Sequence, residues 1–127
     1  YVGYGGTGSQ VRDVLHIDDL ADLLMTRLDD LGGHRGQVFN IGGGLDGSVS
    51  LAELTQLCSE ISGQNIDIGA IAEDRANDIP WYVTDTFKIQ ALDGWSPKRD
   101  PKVIMSDIHG WIMDHKAMLE PIFGQVS

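Results

Sequence analysis

The sequence predicts an α/β fold, on three observations. Short apolar runs alternate with polar residues or end in glycine, longer segments carry apolar residues at three- and four-residue spacing, and capping residues stand at the joints. Residues 11–17, rich in β-branched and aliphatic side chains, form the first strand candidate. Asp18 is placed to cap a helix over 18–31, whose Leu20, Leu23, Leu24, Leu28 and Leu31 share a face and which Gly32 and Gly33 stop. Residues 37–41 are a short apolar run entering Gly42, Gly43 and Gly44, the pattern of a buried strand that delivers the chain into a tight loop. Ser50 and Glu53 form a capping box with Val49 and Leu54 as its hydrophobic staple. The helix they open runs over 51–62, turns Leu51, Leu54, Leu57, Cys58 and Ile61 to the core, and ends at Gly63. Residues 66–68 alternate as a strand does, and 73–82 are polar and irregular, which predicts a loop. Asp85 caps a short helix to Leu92. Asp100 followed by Pro101 opens a last helix over 101–118, with Ile104, Ile108, Trp111, Ile112 and Leu119 on one face. This order supplies about three strands, fewer than a usual sheet.

The 127 residues suit one domain, and 42% hydrophobic against 22% charged residues excludes a disordered chain. A net charge of -10 repels a phosphate backbone wherever it is not locally reversed, which excludes sequence-independent nucleic-acid binding. The single cysteine, Cys58, can form neither an internal disulfide nor a thiolate metal set, and a reducing compartment follows. No apolar run approaches the roughly 20 residues of a membrane span and the start lacks the pattern of a signal peptide, so a cytoplasmic protein with no membrane partner is expected. Tyr1 is no initiator methionine, and the strand-like opening suggests a piece of a longer protein.

Four constellations bear on chemistry. Residues 3–8 match the spacing GxGxxG, yet a strand pattern follows where a dinucleotide turn needs a helix, so a loop is the expectation. Arg12 and Arg75 are conspicuous among few cations. Two converging guanidinium forks would hold a diphosphate, whereas composition alone favours structural ion pairs, Arg12 with Asp13 or Asp18 and Arg75 with its acidic neighbours. Asn40, beside three glycines, either donates to a phosphate or sugar or caps the loop. His16, His34, His109 and His115 have no metal-ligand spacing.

The run from Gly8 to Leu20, with Gln10, Arg12, Asp13, His16, Asp18 and Asp19, resembles the extended short-chain dehydrogenase/reductases that act on nucleotide sugars. The likeness continues through Phe39-Asn40-Ile41-Gly42-Gly43, Ser48-Val49-Ser50-Leu51, Arg75 with Asp78, and Gly94-Trp95-Ser96-Pro97. Within the family, the segments 10–16 and 35–43 are most similar to the CDP-paratose 2-epimerases. The resemblance implies that Arg12 and Arg75 grip the substrate diphosphate, with Asn40 nearby and Asp78 on the nucleotide ribose.

It also implies what this chain lacks. The family's amino-terminal part carries a GxxGxxG turn for NAD and a Tyr-xxx-Lys catalytic pair, and neither occurs in residues 1–127. The expectation is a single substrate-binding portion of a Rossmann-type fold, residues 1–127, without the NAD-binding part. In the full-length parent NAD would take a hydride from sugar C2 and return it to the other face; this portion would bind no NAD and supply substrate positioning. A free-standing nucleotide-sugar binding module and a non-catalytic remnant are the alternatives. Because the strand over 37–41 would pair with strands outside this chain, self-association or cover by another chain is expected.

Overall fold

In a computed structural model of the chain, which describes residues 1–29, 32 and 35–124, three strands assemble around β1 (Val11–Asp13). β2 (Ser48–Ser50) lies antiparallel on one side, Arg12 opposite Val49; β3 (Trp81–Tyr82) lies parallel on the other, Arg12 opposite Tyr82. Side chains alternate across a strand, so Arg12, Val49 and Tyr82 share one face and Val11, Asp13 and Trp81 the other. Among the described residues five α-helices complete the fold: α1 (Ile17–Leu28), α2 (Leu51–Ser62), α3 (Phe87–Asp93), α4 (Pro101–Asp114) and α5 (Lys116–Phe123). The result is a small α/β unit, as the sequence predicts.

Local signals explain the helix starts. The capping box forms in full: Glu53 N–H donates to Ser50 Oγ and the Ser50 amide donates to Glu53 Oε2 at 2.8 Å, while Gly63 ends α2 in the left-handed region. Asp100 caps α4 through the Val103 amide at 2.8 Å, with Pro101 in the first turn. α1 departs from expectation, because its cap is His16, whose Nδ1 accepts the Asp18 amide at 3.0 Å. Its other ring nitrogen, Nε2, faces the Asp107 carboxylate, 3.3 Å away. The early cap shortens the strand expected over 11–17 to three residues. The expected end of that helix at Leu31, its stop at Gly33, and His34 lie outside the described residues.

Three other expectations fail for reasons of partnership. Residues 37–41 join no ladder, since both edges of β1 are taken by β2 and β3; Val38 is 82% exposed. Lys88 engages this segment, donating to the Val38 carbonyl at 2.8 Å and lying 4.6 Å over the Phe39 ring. Residues 66–68 are not a strand either; the neighbouring Ile71 makes a single parallel bridge to Val2. Within the expected loop, Trp81 and Tyr82 become β3 because β1 offers them an open edge. The helix expected from Asp85 begins at Phe87, whose amide donates to Asp85 Oδ1. The last helix divides at His115, a non-helical residue stacked on Trp111 with ring centroids 4.5 Å apart; α5 restarts there and contains Pro121.

The buried apolar side chains among the described residues are Leu23, Val49, Ile89 and Ile104. Leu24 and Leu28, read as core, are exposed, and so is Cys58, whose Sγ lies 4.0 Å from Met105 Sδ where α2 packs against α4. The apolar stripes of α1 and α2 are therefore covered only in part. No helix among the described residues is long and apolar enough to cross a membrane.

Candidate functional site

Two cavities flank β1, one on each face. The larger, of about 770 Å³, lies beside Gly43, Gly44, Trp81 and Thr84. Its cations are occupied: Arg99 pairs with Asp19, Lys98 lies 3.5 Å from Asp22, and Asp46, Asp85 and Asp100 add negative charge to the wall. The glycine loop here is shaped by its own chain. A Cβ on Gly43 would stand 2.0 Å from the Val14 carbonyl oxygen, and one on Gly42 2.5 Å from Asp13 Oδ2. The bare backbone read as room for a ligand is filled by β1 and the residue that follows it, and the Gly44 amide donates to Asp13 Oδ2 at 3.0 Å.

The smaller cavity, of about 300 Å³, is lined by Val2, Gln10, Arg12, Leu51, Arg75 and Asp78. Gln10 and Arg12 reach it from one face because they are two residues apart along an extended run. Three acceptors orient the Arg12 guanidinium: Asp78 Oδ1 at 3.0 Å, the Ile79 carbonyl at 2.9 Å and the Val11 carbonyl at 2.7 Å. The ion partner expected from sequence neighbours, Asp13 or Asp18, is thus replaced by Asp78. Arg75 is exposed, and among the described residues no hydrogen bond or ion pair holds its guanidinium. Arg12, Arg75 and Asp78 together leave the cavity one positive charge in excess, a local reversal of a strongly acidic chain. Asn40 is exposed and stands outside both linings.

Two residues to which sequence reasoning gave no role bear on this wall, Gln10 within the lining and Tyr4 through its bonds to Asp74 and Asp78. Gln10 is buried, 4% exposed, and donates Nε2–H to the Val2 carbonyl at 2.7 Å, while its Oε1 has no partner. Tyr4 donates its hydroxyl to the Asp78 carbonyl at 2.8 Å and its amide to Asp74 Oδ1 at 2.5 Å. Its phenol is pushed above the ordinary value, first by burial and then by the Asp78 and Asp74 charges, so it stays a donor at neutral pH. Neither role has a signal in spacing or composition: the Tyr4 contacts join residues 70 and 74 apart in the chain, and the Gln10 bond depends on how the opening segment folds back on itself.

Residues 3–8 do not fit a dinucleotide. They form a 3₁₀ turn, Tyr4–Gly6, that leads into β1, and a Cβ on Gly6 or Gly8 would strike Ala70 or the Tyr1 ring. No helix N-terminus follows to face a pyrophosphate.

No family model matches the chain. It is 38% identical over 107 residues to the CDP-paratose 2-epimerase of Salmonella typhi, covering 84% of this chain and 31% of that protein. It is 32% identical over 120 residues to the dTDP-glucose 4,6-dehydratase of Streptomyces griseus, covering 92% of this chain and 34% of that protein. Among solved structures, the UDP-Glc/GlcNAc 4-epimerase of Campylobacter jejuni superposes with a TM-score of 0.72 at 27% identity, over 89% of this chain and 36% of that one. The chain spans about a third of the length of the curated relatives it matches.

Proposed function

This chain is a homologue of the nucleotide-sugar epimerases and dehydratases of the extended short-chain dehydrogenase/reductase family, and from that premise we propose that it is the substrate-gripping portion of such an enzyme. The supporting observation is that Arg12 and Arg75, separate in sequence, line one cavity with Asp78. A diphosphate takes convergent, fork-shaped donors, and two guanidinium groups are the residue type that supplies them. Arg12 is already oriented by its three acceptors and Arg75 is free to close on the second phosphate. Asn40 joins the ligand from outside the cavity, and Asp78 offers its second carboxylate oxygen to a sugar hydroxyl. In this reading the parent enzyme acts on a CDP-sugar and epimerises it at C2, and the 38% identity to a CDP-paratose 2-epimerase supports that choice. NAD, which supplies hydride acceptance and return, is held in this reading by parts of the parent outside this chain, as are the proton-transferring groups. The cytoplasm is its place.

Titration with CDP tests the grip. Arg75→Ala weakens CDP binding by about 2 kcal/mol, the loss expected for a charged hydrogen-bonding partner, and leaves the melting temperature unchanged because the Arg75 side chain has no hydrogen bond or ion pair to lose among the described residues. The wild-type chain binds CDP but turns over no CDP-sugar. Equal affinities in wild type and variant would remove Arg75 from the site.

The uncovered surface has its own consequence. Ile17, Val38, Leu45, Trp81 and Phe87 are between 57% and 82% exposed, far more large apolar surface than a soluble monomer keeps bare. The chain self-associates at micromolar concentration or is covered by another chain, and the net charge of -10 is screened beyond roughly 10 Å at 0.1 M salt. Sedimentation equilibrium checks this, and an ideal monomer across the micromolar range would contradict it.

A further inference from the structure

We propose that Tyr4 is a positioning residue for the anion-binding cavity: it clasps the 74–78 segment so that Arg75 stands across from Arg12. The inference rests on the reading of that cavity as the diphosphate grip. Tyr4 bonds to this segment at two points, its amide to Asp74 Oδ1 on one side of Arg75 and its hydroxyl to the Asp78 carbonyl on the other. Among the described residues Arg75 is held only through its backbone, where its carbonyl accepts the Asp78 amide at 3.1 Å across a turn closed by Asn77 at φ 65°. A guanidinium on an unpaired side chain is only as well placed as the backbone that carries it. That backbone is fixed by Tyr4.

The opening segment is built as an anchor. The Gly3 amide donates to the Ile71 carbonyl and the Ile71 amide to the Tyr1 carbonyl, both at 2.8 Å, and Gln10 Nε2 holds the Val2 carbonyl. Tyr4 sits at φ 49°, a left-handed conformation that is strained for a non-glycine residue, and a bulky aromatic is kept there where glycine would rest more easily. The strained backbone aims the amide at Asp74 and the ring at Asp78. Asp78 also carries the carboxylate that orients Arg12, so the clasp sets where Arg75 stands relative to a cation that is held independently.

The test is a double-mutant cycle read by titration of the 127-residue chain with CDP and with inorganic pyrophosphate. Tyr4→Phe removes only the hydroxyl and raises the dissociation constant for both ligands about fivefold, within the range for one lost hydrogen bond. In an Arg75→Ala background the same change has no further effect, since the guanidinium that the clasp places is gone and Arg12 keeps its own three acceptors. Asp74→Ala weakens binding as Tyr4→Phe does, and Asp74→Asn, which keeps an acceptor oxygen for the Tyr4 amide, restores it. A Tyr4→Phe penalty that persists in full without Arg75 would mean that Tyr4 touches the ligand directly, and would overturn the clasp. An unchanged affinity in Tyr4→Phe would also overturn it while leaving the Arg75 site intact. Loss of sensitivity to Arg75 itself would instead overturn the cavity reading. Should Tyr4→Phe fail to fold by circular dichroism, the Asp74 pair decides alone: no loss in Asp74→Ala, or no recovery in Asp74→Asn, would reject the proposal.

Discussion

Replacing Asp19 with alanine lowers the unfolding free energy by about 3 kcal/mol, the low end of what removing one partner from a buried charge pair costs. Asp19 is 1% exposed in the first turn of α1 and accepts the amides of Lys98 and Arg99, each at 3.1 Å, as well as the Arg99 guanidinium. It thereby fastens α1 to the segment that enters α4, across 80 residues of chain. Burial alone would push this carboxyl up, but the two amides and the guanidinium outweigh it and hold it below the ordinary value. A folded pKa below the unfolded one stabilises the fold in full above the unfolded value, near 3.9 for Asp. The contribution is lost as pH falls through the folded pKa. Urea denaturation at pH 7 and at steps below pH 4 checks both parts: the variant is weaker at neutral pH, and the difference between the two proteins narrows on acidification. A difference that stays constant down to the acid limit would separate the lost stability from the Asp19 charge.

This pair marks the boundary of what the sequence discloses. Caps are local, and Ser50 with Glu53, Gly63, and Asp100 with Pro101 each stand where spacing places them because every partner lies within four residues. A strand is a relation between two segments, so 37–41 has the composition of a strand and no ladder, while Trp81 and Tyr82 have a ladder inside a polar, irregular stretch. The same holds for charge. Proximity in sequence suggested Asp13 or Asp18 for Arg12, but the alternation of β1 sends Asp13 to the opposite face, where it binds the Gly44 amide and Thr84 Oγ1, and leaves Arg12 to Asp78. That Arg12, Arg75 and Asp78 line one cavity is in keeping with what family likeness implied, whereas the contacts of Tyr4 depend on how the opening segment meets residues 74–78, and that of Gln10 on how the segment folds back to Val2.

Gly43→Ala unfolds the chain more readily by about 3 kcal/mol, the sum of an overpacked methyl and the bonds it displaces. The new Cβ would meet the Val14 carbonyl oxygen at 2.0 Å and its carbon at 2.9 Å, and both are backbone atoms beside the sheet that cannot rotate away. The loop must lift instead. It then gives up the Gly47 carbonyl that accepts the Val14 amide at 2.9 Å and the Gly44 amide on Asp13 at 3.0 Å, which anchor the approach to β2. Gly110 is the control, an exposed position inside α4 where a Cβ meets nothing within 4 Å. Gly110→Ala raises stability by about 0.5–1 kcal/mol because alanine loses less backbone entropy in a helix. Opposite shifts in the urea midpoints of the two variants are the expected result, read with unchanged slope. Because the cavity of Arg12 and Arg75 lies on the other face of β1, CDP affinity measured well below the unfolding range stays at its wild-type value in Gly110→Ala and falls in Gly43→Ala only through the unfolded fraction. A Gly43→Ala protein as stable as wild type would mean that the 42–47 loop is not seated on Val14, and that the face opposite Arg12 is open to a ligand after all.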